Sequence, residues 1–166
     1  MEKKATIRPF VESDWSAVQN IVAAVWHHGV DCAREQRYGL LVGGEPWQDR
    51  KMRALRDEIV QEREHWFVSE LGGTVIGFCS FHLDRSTDIG QVGHNGVHPA
   101  HQGVGHGARQ LRFVISQIRE AGMKIVEVQA VLNEGHQPAR RMYEREGFRQ
   151  LMDSRLHYLD LREPEA

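Results

Sequence analysis

Residues 97–107 read Val-His-Pro-Ala-His-Gln-Gly-Val-Gly-His-Gly, with glycines at three alternate positions, 103, 105 and 107. Glycine lets a backbone adopt positive φ and come close to an oxyanion, so that successive amides converge on it. Beyond the turn, Leu111, Val114, Ile115 and Ile118 repeat at helical spacing, and the helix should end near Gly122. The first N–H groups of a helix lack intrahelical partners and sit at the positive end of its dipole, so this turn can hold a phosphate without a lysine. Two other phosphate motifs do not fit. A P-loop needs Lys and Ser/Thr after its last glycine, and the dinucleotide fingerprint needs Gly-x-Gly-x-x-Gly. A tight turn, or a helix packed closely on a sheet, remains open on these residues alone.

The other residues with chemical potential are weaker signals. The chain has ten histidines, and neither His27-His28 nor the set His94, His98, His101 and His106 has the spacing of a zinc finger or metalloprotease, so no metal is expected. Cys32 and Cys79 lie at no redox or metal spacing, which points to reduced structural thiols in a reducing compartment.

The elements that must position the turn follow from periodicity. Residues 6–10 read as a short strand, and Val18, Ile21, Val22 and Val25 mark one face of a helix capped at Ser13 or Asp14. Residues 26–44 show no clear period. Glu45-Pro46 opens a charged helix to about residue 64, with Trp47, Met52, Leu55, Ile59 and Val60 as its buried stripe. Residues 66–71 and 74–83 flank Gly72-Gly73 as a hairpin, and residues 89–98 form a strand diluted by Gly90, Gly93 and Gly96, a composition that marks a bulge or close ligand approach. Residues 124–132 read as a buried strand, residues 136–146 as a helix stopped by Gly147, and residues 148–151 and 155–161 as closing strands. The expected order is βααββ, then βαβ, then αββ.

In this setting, Gln102-x-x-Gly105-x-Gly107 after a strand ending in Val97-His98-Pro99 resembles the acyl-CoA pyrophosphate loop of the GNAT N-acetyltransferases. Ala139-x-x-x-Tyr143-x-x-x-Gly147-Phe148 is similar to a second segment of that family, and with Ile7-Arg8-Pro9 and the element order the resemblance covers nearly the whole chain. It implies an α/β (α+β) fold with a mixed, mostly antiparallel twisted sheet flanked by helices, as one domain over residues 1–166. It also implies transfer of an acetyl group from acetyl-CoA, as co-substrate, to a primary amine.

Site residues follow from the same resemblance. Asn95, Gly96 and Val97, with His98 beside them, face the pantetheine arm and thioester, and the Val97 N–H is the expected oxyanion donor. Gln102, Gly103, Val104, Gly105, His106, Gly107 and Ala108 surround the pyrophosphate. Asn133 or His136, together with Ala139, contacts the CoA. His136 stands where the family commonly has asparagine. Tyr143 matches the tyrosine that protonates the departing CoA sulfur, and a phenol of ordinary pKa stays protonated at neutral pH. Without that motif, the pattern alone favours a core ring beside Phe148 on an amphipathic helix. The glutamate base of histone-lysine acetylating relatives falls on Gln91, whose amide cannot accept a proton. His94, His98, Glu134 and a water chain are the alternatives, His94 being the named candidate although strand alternation leaves its direction open.

Composition narrows the partners. Twenty-one Lys plus Arg against 23 Asp plus Glu give a net charge of -2, so no global field attracts nucleic acid or an anionic membrane. No apolar run approaches the roughly 20 residues of a membrane span, and a cytoplasmic enzyme is expected, with a homodimer compatible. Three functions stand: a small-molecule amine acetyltransferase, which the unpatterned residues 26–44 favour as a pocket wall; a protein lysine or N-terminal amine acetyltransferase; and a catalytically silent acyl-CoA-binding module. Trp26, Trp47 and Trp66 read as acceptor-cleft lining or as core.

Overall fold

The computed structural model describes residues 5–26, 29–132 and 134–162. Five strands, β1 (Thr6–Pro9), β2 (Trp66–Leu71), β3 (Thr74–Asp84), β4 (Ile89–Val97) and β5 (Ile125–Glu127), form one sheet in sequence order. The first three pairings are antiparallel and β4 pairs with β5 in parallel, giving the mixed, mostly antiparallel sheet expected. Its helices are α1 (Trp15–Val25), α2 (Val30–Tyr38), α3 (Trp47–Gln61), α4 (His106–Glu120) and α5 (Gln137–Arg145).

Strand alternation sends neighbouring side chains to opposite faces and so builds two cores. Trp66, Val68 and Phe78 join Val18, Ile21 and Val22 of α1 and Leu55 and Ile59 of α3 on one face. Phe67, Cys79, Phe81 and Val92 join Leu111, Val114 and Ile118 of α4 on the other, with Met142 and Tyr143 of α5 against them. Helix α4 lies very close to β4: a Cβ on Gly90 would stand 2.1 Å from Ile118 Cγ2. Arg8 ties β1 to the start of α1, with both Nη atoms on the Asp14 carboxylate at 2.7 and 2.9 Å and Nε on Glu70 at 2.8 Å.

Three expectations are corrected. The unpatterned residues 26–44 contain α2, which buries Cys32 and ends at Gly39 in the left-handed region; its faces are so largely polar that no hydrophobic period marks it. Only Ile125–Glu127 of the expected strand 124–132 pairs, and it lies at the sheet edge with Ile125 exposed, because a strand flanked on one side alone is not buried. Residues 148–151 and 155–161 form no strands, and Leu151, Leu156, Leu159 and Leu161 are exposed there. No helix among the described residues is long and apolar enough to cross a membrane.

Candidate active site

The site grows from the end of β4. Register runs Phe81↔Val92 and then Cys79↔Asn95, so Gly93 and His94 together face Ser80, and the extra residue is a β-bulge. The His94 N–H donates to Ser80 Oγ at 3.0 Å and the His98 N–H to the Ile76 carbonyl at 2.9 Å, both toward β3. Backbone groups alternate along a strand, so the N–H groups of Asn95 and Val97 point to the other edge. That edge is open: β5 pairs with β4 only through Ile89, Gly90 and Gln91, and the two strands fork beyond.

The glycine turn follows directly. Gln102 Nε2 donates to the Val97 carbonyl at 2.8 Å and ties the turn to the strand, while His98 Nδ1 accepts from the Ala100 N–H at 3.2 Å. Gly103 and Gly105 have φ of 81° and 92°, left-handed values that a Cβ would strain, and neither has an atom within 4 Å of where a Cβ would stand. Gly105 is the cap of α4, so the amides of His106, Gly107 and Ala108 form its unpaired first turn. Val104 is exposed beside them. Space open to solvent at a helix N-terminus is what an anionic group needs.

Gly107 marks where three elements meet. A Cβ there would lie 3.6 Å from Met142 Sδ of α5 and 3.9 Å from Val97 Cγ2. Asn95 Nδ2 donates to the Gly107 carbonyl at 3.1 Å, and Gln110, wholly buried, donates through Nε2 to Asn95 Oδ1 at 2.7 Å. Tyr143 follows Met142, with its ring 5.8 Å from that of Phe148, and burial raises its pKa. Ala139 lies one turn before Tyr143, and His136 stands at the N-cap of α5. Asn133 and the His27-His28 pair lie outside the described residues.

On the opposite face, the bulge turns His94 toward α3. Its Nε2 lies 2.7 Å from Glu58 Oε2, and its ring is 5.2 Å from those of both Trp26 and Trp66. Burial lowers the His94 pKa more than Glu58 raises it, so the ring is neutral at neutral pH. Burial pushes Glu58 up, but the hydrogen bond with His94 and the nearby Lys51 and His82 leave it below the ordinary carboxylate range. A neutral imidazole beside a carboxylate keeps its proton on the facing nitrogen, so Nδ1 of His94 carries the lone pair. Gln91 is exposed and donates to Glu127 Oε1 at 3.0 Å. At about 3.3 Å per residue it stands roughly 20 Å back along the strand from Val97, whereas His94 is half that distance away.

Sequence reasoning passed over Glu58 and Gln110. Glu58 looked like one more charge on a solvated helix face, and only the fold brings it to the bulge. Gln110 had a usable signal, a polar residue on the apolar stripe of α4. Trp66 belongs to the core and Trp26 packs against both that core and His94, while Trp47 is half-buried. Among the described residues no group of three or more His, Cys, Asp or Glu side chains is placed to hold a metal ion.

A β-bulge, an open strand edge and a glycine-capped helix N-terminus define a protein built to hold a phosphate-bearing acyl carrier along a forked sheet. Residues 22–148 match the acetyltransferase (GNAT) family, and the chain belongs to that family of acetyl-CoA-dependent acetyltransferases. It is 30% identical over 121 residues to the N-alpha-acetyltransferase RimI of Mycobacterium tuberculosis, covering 72% of each chain. The fold is similar to the ribosomal-protein-S18-alanine N-acetyltransferase of Escherichia coli, with TM-score 0.64, 16% identity, and 90% of this chain matching 80% of that one. It is also similar to a GNAT family acetyltransferase of Brucella melitensis solved with acetyl-CoA, with TM-score 0.61, 21% identity, and 89% of this chain matching 84% of that one.

Proposed function

We propose that the protein moves the acetyl group of acetyl-CoA onto the primary amine of a small molecule, by direct attack within a ternary complex. The observation that carries the reading is the forked edge of β4 running into the capped start of α4, one continuous track for thioester, pantetheine and pyrophosphate. The amides of His106, Gly107 and Ala108 with the turn from Gln102 hold the pyrophosphate. Asn95, Gly96, Val97 and His98 line the arm, and the edge-facing N–H of Val97, with that of Asn95, receives the thioester oxygen as it gains charge. Asn133 or His136, with Ala139, completes the contacts to CoA.

The chemistry then needs a base and an acid. His94 Nδ1 takes the amine proton as nitrogen attacks the carbonyl carbon, and Glu58 stabilises the imidazolium. The carbon–sulfur bond breaks, and Tyr143 gives its proton to the thiolate. The amide and CoA thiol leave, and the His94 proton returns to the phenolate through solvent. The protein is a cytoplasmic enzyme acting as one domain over residues 1–166, without metal, nucleic acid or membrane.

Thiol release from acetyl-CoA across a panel of small amines and peptides tests this. Turnover of small amines supports it, and turnover of peptides alone overturns the acceptor class. The relationship to RimI favours a second reading, acetylation of a protein N-terminal amine.

A further inference from the structure

Helix α3 presents two opposite charges to the same place. Lys51, Leu55 and Glu58 stand at helical positions i, i+4 and i+7 and so share one face, with Leu55 in the core between the two charged side chains. Glu58 reaches His94, whose side chain is 13% exposed against 34% for Glu58. Lys51 goes to an aromatic ring instead. Its Nζ lies 4.8 Å from the centre of the Trp26 ring, and its stem lines a largely apolar cavity of about 270 Å3 with Val22, Ala23, Trp47, Gln48 and Met52. The Trp26 ring packs at 5.2 Å on that of His94, so ammonium and imidazole are no more than about 10 Å apart across one indole. Burial lowers the Lys51 pKa, while Glu58 and Asp31 support its charge through space.

The groups around His94 then divide by charge. Glu58 of α3 is in contact with it, and His82 of β3, whose Nδ1 meets Glu62, acts on it from the sheet; Trp26 after α1 and Trp66 of β2 are uncharged. A carboxylate in contact favours the protonated imidazole, the form that cannot take a proton from an amine. Burial is the largest influence against that form, and the Lys51 charge follows it, ahead of His82. Burial pushes Glu58 up, but the hydrogen bond with His94 and then the charges of His94 and Lys51 bring it down. One cation therefore favours both halves of the pair in the state general-base chemistry needs.

Resting on the reading of His94 as the base, we propose that Lys51 is a positioning residue for acetyl transfer: fixed on the Trp26 ring, its ammonium offsets Glu58 and holds the pair as carboxylate and neutral imidazole.

Lys51→Met keeps the stem on Trp26 and removes the charge; Lys51→Gln is a second neutral variant, and Lys51→Arg keeps the charge. The His94 imidazole is titrated by heteronuclear NMR of the whole chain with CoA present, its resonances assigned by their loss in His94→Gln. The kcat/KM profile is taken by thiol release with the amine of the panel that turns over fastest. Losing a nearby cation makes protonation easier, so in both neutral variants the His94 titration and the acid limb of kcat/KM should move to higher pH. On that limb kcat/KM should fall about 3- to 10-fold, the weight of one partly screened charge at this range. Lys51→Arg should keep both near the parent. A packing role predicts the opposite sign, since Lys51→Met makes the surroundings more apolar and would lower the His94 pKa. A titration that stays in place or moves to lower pH in the neutral variants, or moves as far in Lys51→Arg, overturns the proposal. A titration that moves to higher pH while the kinetic limb stays in place upholds the hold of Lys51 on the pair and overturns His94 as the base instead.

Discussion

Replacing Gln110 by leucine should uncouple the start of α4 from β4. Gln110 is wholly buried; its Oε1 accepts from Ser69 Oγ at 2.8 Å, and its Nε2 faces the Phe78 carbonyl at 2.9 Å, Asn95 Oδ1 at 2.7 Å and the Gly96 carbonyl at 3.2 Å. Leucine fills nearly the same space but leaves the buried Ser69 hydroxyl without its acceptor and the strand carbonyls and Asn95 without their donor. Stranding a buried polar group costs about 1–3 kcal/mol, and the strand carbonyls keep their ladder bonds, so the sum is about 2–4 kcal/mol. For a chain of this size that lowers Tm by roughly 5–15 °C. Adding Ser69→Ala removes one stranded group and should recover about 1 kcal/mol, a coupling that a double-mutant cycle by urea denaturation resolves. Acetyl-CoA affinity should fall several-fold, because Asn95, which Gln110 orients, also holds the Gly107 carbonyl. A variant as stable as the parent, or strictly additive with Ser69→Ala, would refute the network as described.

Tyr143→Phe keeps the ring's packing and removes its proton, so turnover at saturating substrates should fall about 10²- to 10⁴-fold with Tm nearly unchanged; a change within about twofold eliminates Tyr143 as the acid. Gly105→Asp puts a left-handed side chain and a negative charge at the α4 cap, and calorimetry should find acetyl-CoA binding lost in a folded protein. Glu58→Gln removes the charge that raises the His94 pKa, so the acid limb of the kcat/KM profile should move to lower pH with a reduced plateau, whereas a purely structural Glu58 leaves the limb in place. The hydrogen bonds from Arg8 hold the Asp14 carboxyl below its ordinary range despite burial, so its stabilising contribution is complete above the unfolded carboxylate pKa, near 4, and disappears as pH falls through the lower folded value; Arg8→Ala should flatten that acid-side slope of stability.

The sheet, α1, α3 and α4 were legible because each carries an apolar period that its face of the core requires. Helix α2 was not, since its burial rests largely on Cys32. The closing strands failed for the opposite reason: residues 148–161 alternate well enough to pair, but pairing needs a neighbouring edge, and periodicity says nothing about whether one is present. Within the site, local backbone demands were readable, as at Gly103 and Gly105. The Glu58–His94 contact joins a helix and a strand 36 residues apart, and no one-dimensional pattern contains it. His94 itself turned on the bulge, which shifts the alternation by one residue and directs the ring toward α3.

The two cysteines supply built-in clocks for motions of different size. Cys79 is fully enclosed in the central strand, and burial pushes its thiol up to about 12, so a thiol reagent reaches it only when the sheet itself comes apart. Cys32 is instead the buried residue of α2, a single helix whose Val30, Ala33, Arg34 and Arg37 wall a cavity against the C-terminal segment. Its labelling rate reports how often that wall lifts, and a ligand held between the wall and the C-terminal segment should slow labelling of Cys32 while leaving that of Cys79 untouched.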